Sequence, residues 1–131
     1  MSYLVDTNIL SELSRLKPNA GVIAWAETQK QINLSAITVE EILFGLNWKP
    51  NQRIQTWFNG FLQQYCQILP VTEFIAKRGG GLRGQLQAAG QTRSQADMLI
   101  AATATAHELT LVTRNEKDFQ DCDILLLNPF I

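Results

Sequence analysis

Cysteine is scarce in this chain: 131 residues contain two, Cys66 and Cys122. At that separation they form neither a zinc-ligand spacing nor a Cys-x-x-Cys redox pair, so they read as two reduced thiols. Histidine is scarcer still. His107 stands alone, with no Ser or Cys nucleophile pattern beside it, and reads as an ordinary surface or core side chain. No apolar run approaches the roughly 18 residues a membrane helix needs, and no basic segment leading into an apolar one opens the chain. The expectation is a cytoplasmic protein without a membrane partner. Eleven basic and twelve acidic residues leave a net charge of −1, which excludes a grip on nucleic acid by bulk electrostatics. Phosphate-binding Gly-x-x-x-x-Gly-Lys and dinucleotide Gly-x-Gly-x-x-Gly patterns are absent as well.

What is present is enough apolar residue, 46% against 18% charged, for one domain over 1–131 with a real core. Strand-like runs are Tyr3–Val5, Ile32–Ser35, Ile68–Leu69, Thr110–Val112 and Ile124–Leu127. Helical patterns fill the intervals. Ile9, Leu10, Leu13 and Leu16 space as one helix face stopped by Pro18. Val22, Ile23 and Ala26 suggest a second helix, and Ile42, Leu43 and Leu46 a third, closing near Pro50. Ile54, Trp57, Phe58, Phe61, Leu62 and Tyr65 give the clearest amphipathic helix, its aromatic weight reading as core. Strands alternating with helices predict an α/β fold with a mostly parallel sheet covered on both faces. Gly79-Gly80-Gly81 interrupts a helical stretch, where each Gly costs about 1 kcal/mol against Ala, and reads as a kink or a close backbone contact.

Three acids stand at element junctions. Asp6 follows the apolar run Tyr3-Leu4-Val5; Glu41 follows Leu34-Ser35-Ala36-Ile37-Thr38; Asp97 opens the apolar helix pattern from Met98 to Ala106. Each has a structural alternative. Asp6 is a plausible N-cap, and Thr38-Val39-Glu40-Glu41 and Ser94-Gln95-Ala96-Asp97 both match the capping-box pattern. Their joint placement argues further, because strand ends feeding helix starts lie along one edge of a parallel sheet, where such sheets bind ligands. The Asn115/Asp118 turn falls at a similar transition. Crowded carboxylates repel and their pKa values rise, and a divalent cation removes that penalty. All-oxygen donors select Mg²⁺, with Mn²⁺ as a substitute, and the chemistry such a site supports is metal-assisted phosphoryl transfer. Between Glu73 and Asp97 no acid occurs, while Lys77, Arg78, Arg83 and Arg93 do. That stretch reads either as an RNA-guiding surface or as a solvated helix face.

With these residues in view, the chain resembles the PIN-domain ribonucleases, and among them the VapC-type toxins of bacterial toxin–antitoxin pairs. The resemblance runs through Leu4-Val5-Asp6-Thr7-Asn8-Ile9-Leu10, Ser35-Ala36-Ile37-Thr38-Val39-Glu40-Glu41-Ile42 with Gly45, and Ala96-Asp97-Met98-Leu99-Ile100-Ala101-Ala102-Thr103. It continues through Leu109-Thr110-Leu111-Val112-Thr113-Arg114-Asn115 to Asp118-Phe119, and ends at Asn128-Pro129. It implies a three-layer α/β/α fold, Mg²⁺-dependent endoribonuclease activity, a homodimer, and inhibition by a small VapB-type antitoxin. It also implies Asp6 and Asp97 as main metal ligands, Glu41 as the third acid, and Thr7 and Asn8 as neighbours orienting water or phosphate. Asn115 stands where many relatives carry Asp, which weakens the case for a second metal, with Asp118 in partial compensation. Two other function classes compete: a binding module of the same fold without useful catalysis, and a Mg²⁺-dependent phosphatase for small substrates.

Overall fold

The computed structural model describes residues 2–131. Five strands, β1 (Tyr3–Val5), β2 (Ile32–Ser35), β3 (Cys66–Leu69), β4 (Thr110–Val112) and β5 (Leu126–Leu127), form one sheet in the order β3-β2-β1-β4-β5. Every pairing is parallel. Six helices cover it: α1 (Thr7–Leu13), α2 (Ala20–Glu27), α3 (Ala36–Trp48), α4 (Gln52–Tyr65), α5 (Glu73–Ala88) and α6 (Gln95–His107).

The pleat distributes the core to both faces. Leu4 lies opposite Leu111 and Val5 opposite Val112. Leu4 and Leu111 pack with Leu82, Leu86, Met98 and Ile100 from α5 and α6. Val5 and Val112 pack with Ile9, Leu10, Val22, Leu46 and Phe58 from α1 to α4. The result is the expected three-layer α/β/α sandwich with a parallel centre.

Several boundaries differ from the sequence reading. The first helix ends at Leu13, capped where the Ser14 hydroxyl donates to the Ser11 carbonyl at 2.7 Å, so Pro18 does not stop it. Leu16 therefore lies beyond the helix and is 81% exposed. The third strand begins two residues earlier, at Cys66, because four positions pair with β2. The last strand is shorter, Leu126–Leu127. On α4 only Phe58 is fully buried; Trp57, Phe61 and Tyr65 stack along one side, Tyr65 half out in solvent. The glycine run makes no kink, since α5 is continuous. Gly79 is the close contact: a Cβ there would come within 2.9 Å of the Leu99 side chain on α6, whereas Gly80 and Gly81 face open space. Both cysteines are free thiols; burial pushes Cys66 up to about 12 and raises Cys122 as well, which makes them poor nucleophiles. His107 is exposed in the last turn of α6, at the end opposite Asp97.

Candidate active site

The strand order reverses direction at the β1–β4 seam, and Asp6 sits there. Its backbone N–H extends the pairing, donating to the Val112 carbonyl at 2.9 Å. In a parallel sheet such a switch point opens a crevice between the strand ends. Here the crevice is a cavity of about 400 Å³ whose walls include Asp6, Thr7, Asn8, Glu41, Asp97 and Asn115. Residues far apart in sequence thus meet in one place, through sheet topology alone.

Asp6 is 4% exposed and its carboxylate accepts three hydrogen bonds. Oδ1 accepts the Thr7 amide at 2.8 Å, which makes Asp6 the N-cap of α1 as well as a cavity group. Oδ2 accepts the Thr113 hydroxyl at 2.8 Å and the Asn8 side-chain amide at 3.0 Å. Burial raises its pKa; the bonds from Thr113, Thr7 and Asn8 oppose that, and the Glu41 charge adds to it. Three donors favour the charged form against the burial and fix the carboxylate's orientation.

Glu41 comes from the second turn of α3. That helix starts at Ala36 with Ser35 as its N-cap, the Ser35 hydroxyl accepting from the Ile37 amide at 3.0 Å. The Thr38–Glu41 capping box is therefore absent. Thr38 is buried inside the helix and bonds to the Thr7 hydroxyl at 3.2 Å. The same Thr7 hydroxyl donates to Glu41 Oε1 at 2.6 Å, tying α1 to α3. Glu41 lines the cavity, whereas Glu40, one residue back, is exposed and lies off it.

Asp97 is half-buried in the first turn of α6. Half of its capping box exists: Ser94 Oγ accepts the Asp97 amide at 3.0 Å. The return bond from the carboxylate to the Ser94 amide is not made among the described residues, which leaves the carboxylate free to face the cavity. Burial, and then the neighbouring charge of Asp6, push its pKa to about 6; Asp118 and Glu41 add to the rise, and Ser94 opposes it. Among the described residues, however, no three Asp, Glu, His or Cys side chains stand close enough to grip one ion directly.

The fourth segment divides. Asn115 lines the cavity, its amide fixed by a 3.0 Å bond to Thr113 Oγ1. Asp118 lies in a 3₁₀ turn, Glu116–Phe119, off the cavity wall, and acts on Asp97 only through its charge. None of the four basic residues singled out in the sequence lines the cavity. Lys77 pairs with Glu73 at 3.4 Å on the exposed side of α5. Arg93 donates to the Asp118 and Gln120 carbonyls at 2.9 and 3.1 Å, clasping the loop before α6 to the 3₁₀ turn.

Sequence reasoning missed Thr113, fully buried, which bonds Asp6, Asn8 and Asn115 together. The signal was available: like Asp6, it is the first polar residue after an apolar strand at the sheet's central seam. It also missed Glu12, Arg15, Arg114 and Phe130 on the cavity wall.

The family model described as the PIN domain matches residues 3–125. The chain belongs to the PIN-domain family. Within that family it is homologous to VapC-type toxins. It is 33% identical to the VapC ribonuclease Y4jK of Sinorhizobium fredii, over 97% of this chain and 96% of that one. The crystal structure of FitAcB from Neisseria gonorrhoeae superposes with a TM-score of 0.82 at 34% identity, covering 97% of both chains. The VapBC2 structure from Rickettsia felis, bound to a DNA fragment from its promoter, gives 0.85 at 28% identity and 98% coverage of both. No described helix of this PIN-domain chain is long and apolar enough to cross a membrane.

Proposed function

We propose that this PIN-domain chain is a Mg²⁺-dependent endoribonuclease, the toxin of a type II toxin–antitoxin pair, with Asp6, Glu41 and Asp97 as its working acids. The observation that carries the reading is the convergence of three carboxylates, from the residue after β1, from α3 and from α6, on one cavity at the sheet's switch point. Burial and then the neighbouring charge of Asp6 raise the pKa of Asp97, and a bound cation would remove the cost of keeping such acids charged side by side. The donor set is all oxygen and fits a hard ion. Its spread suits Mg²⁺, which keeps several of its own waters and takes few carboxylates. Mn²⁺ is the expected substitute.

Asp6 and Asp97 would hold the ion, with Glu41 reaching it through water; Asn115 would be a weaker contributor, Asp118 would add only its charge from off the cavity wall, and one well-held ion per subunit is the expectation. When bound, the metal supplies an activated water and charge stabilisation at a phosphate. The chain's own residues supply the rest. Thr113 and Asn8 fix the Asp6 carboxylate, and Thr7 fixes Glu41, so the acids need no reorganisation when charge develops. Glu41, half-buried and bonded by only one of its oxygens, is placed to orient a water or take its proton. Lys77, Arg78, Arg83 and Arg93 would serve as an outer track that steers RNA toward the cavity. A VapB-type antitoxin is the expected partner, since the structure of a 31% identical chain from Klebsiella pneumoniae is described as a toxin–antitoxin complex; a homodimer is expected from the family resemblance alone.

The absence of a tight three-acid cluster favours a second reading, a PIN-fold binding module without useful catalysis. One assay separates the readings. The protein is incubated with mixed RNA and with small phosphate esters, each with Mg²⁺ and with chelator. Metal-dependent cleavage of RNA alone supports the nuclease; hydrolysis of the small esters supports a phosphatase; no turnover of either supports the binding module.

A further inference from the structure

Two groups of residues wall the cavity. Beside Asp6, Glu41 and Asp97 it is lined by Glu12 and Arg15 from α1, Arg114 from the segment after β4, and Phe130 near the chain's end. This second group is internally braced. Glu12 is 7% exposed and accepts three hydrogen bonds: two from Arg15 Nη1, at 3.2 and 3.4 Å, and one from the Asn19 amide at 2.7 Å. It is thereby committed to holding an arginine, and its oxygens are not offered to a metal. Arg15 spends one nitrogen on Glu12 and is otherwise 66% exposed, so its other donors stay available.

Arg114 is anchored differently. Its guanidinium lies over the Phe130 ring, 4.6 Å from the centroid, and makes no ion pair or side-chain hydrogen bond among the described residues. Phe130 is in turn fixed by the end of the chain. Asn19 Nδ2 donates to the Ile131 carbonyl at 2.9 Å, and Asn19 Oδ1 accepts the Ile131 amide at 3.2 Å. A Cβ on Gly21 would collide with the Pro129 carbonyl, so the tail lies directly on α2. One connected set of bonds, from Arg15 through Glu12 and Asn19 to the tail, sets both guanidinium groups at the cavity mouth.

We propose that Arg15, Arg114 and Phe130 form a clamp for single-stranded RNA. The two guanidinium groups would take the backbone phosphate next to the scissile one, and the Arg114–Phe130 stack would receive the adjoining base. The proposal rests on the nuclease reading and adds to it the substrate's second contact. A planar fork of donors matches phosphate oxygens, and an unstacked base lies flat on an aromatic ring or on a guanidinium plane. A polymer with phosphates at regular intervals meets both groups at once: one phosphate beside the acids and their cation, the next at the arginines. A small phosphate ester cannot. The clamp also explains how a chain of net charge −1 can hold RNA, since two cations sit where the substrate passes rather than spread over the surface.

The test uses the full chain and a random-sequence pool of fluorescent single-stranded oligoribonucleotides. Binding is read by anisotropy in chelator across a salt series, and cleavage is followed with Mg²⁺. The double variant R15Q/R114Q should raise KM at least about tenfold, leave kcat within about threefold, and leave Mn²⁺ affinity unchanged. Its binding should lose about 0.7 from the log–log salt slope, the value for one single-strand phosphate contact. Arg114→Gln alone, which disturbs no bond to Glu12, guards against misfolding of the double variant and should give half the slope change. Arg114→Lys should restore the slope without the affinity, because it keeps the charge and loses the flat stack. Unchanged KM and slope in both Gln variants would overturn the clamp, as would a fall in kcat without a change in KM. If the parent cuts RNA and Asp97→Asn does not, such a result removes the clamp and leaves the nuclease standing. If the parent binds RNA through these arginines but never cuts it, the clamp stands and the nuclease reading falls. If it neither binds nor cuts RNA, both fall.

Discussion

Replacing Asp97 with Asn should make the metal-free protein more stable at neutral pH. The carboxylate is held at about 6 against an ordinary 3.8, first by burial and then by the charge of Asp6. An acid whose folded pKa lies above its unfolded one binds more protons folded than unfolded between those two values. Stability therefore falls as pH rises from about 4 to about 6, and the deficit stays constant above that window. A shift of about two units is nearly 3 kcal/mol at full strength. The group is only half-buried, and solvent screening reduces that to about 1 kcal/mol. Asn removes the charge while keeping the side-chain shape, and the cap survives because Ser94 accepts from the backbone amide of residue 97, not from its side chain. Thermal melts in chelator should show a gain of roughly 3–5 °C at pH 7.5 for a chain of this size and almost none at pH 4, where the parent's Asp97 is already protonated. Added Mg²⁺ should stabilise the parent by mass action and the variant far less. A variant less stable than the parent at pH 7.5, or equally stabilised at both pH values, would refute the claim that burial and the charge of Asp6 hold Asp97 above its ordinary range.

Other consequences follow from single contacts. Thr113→Val keeps the shape of a fully buried side chain but removes the donor to Asp6 and the acceptor for Asn115; urea denaturation should show a loss of about 1–3 kcal/mol. Gly80→Ala and Gly81→Ala, facing open space on α5, should each stabilise by about 0.5–1 kcal/mol, whereas Gly79→Ala should not, because its Cβ meets Leu99; the same melts read all three. Arg93→Gln frees the Asp118 and Gln120 carbonyls and should cost about 1 kcal/mol, with a fall in RNA turnover as the α6 N-terminus loosens under Asp97.

Most of the architecture was legible because parallel strands buried on both faces are short apolar runs, as at Tyr3–Val5 and Thr110–Val112. The three acids were legible because each ends or begins such a run. The boundaries failed where tertiary contacts override local pattern. Leu16 fits the helical period, but α1 stops at Ser14 and the chain turns toward α2. Thr38 fits a capping box, but α3 starts three residues earlier, because Ser35 at the strand end caps it first. Arg15 and Arg114 escaped notice for a different reason: a run without acids is visible in sequence, whereas these two are brought to one cavity only through Glu12 and the folded-back tail, which no local spacing reveals. Glu12 shows the same limit from the other side: as a sequence feature it is one acid among many on a helix, and only burial beneath Arg15 gives it a task.

The most direct test of the metal-dependent nuclease is cleavage of RNA by the parent and by Asp97→Asn, side by side, with Mg²⁺ titrated into chelated protein. The variant's expected extra stability removes unfolding as an explanation for any loss. The parent should cut RNA only when the ion is present, and the variant should show at least a hundredfold lower rate at saturating RNA together with weakened Mn²⁺ binding in calorimetry. Cleavage by the chelated parent, or parent-like rates and metal affinity in Asp97→Asn, would contradict the assignment of this cavity as the catalytic centre.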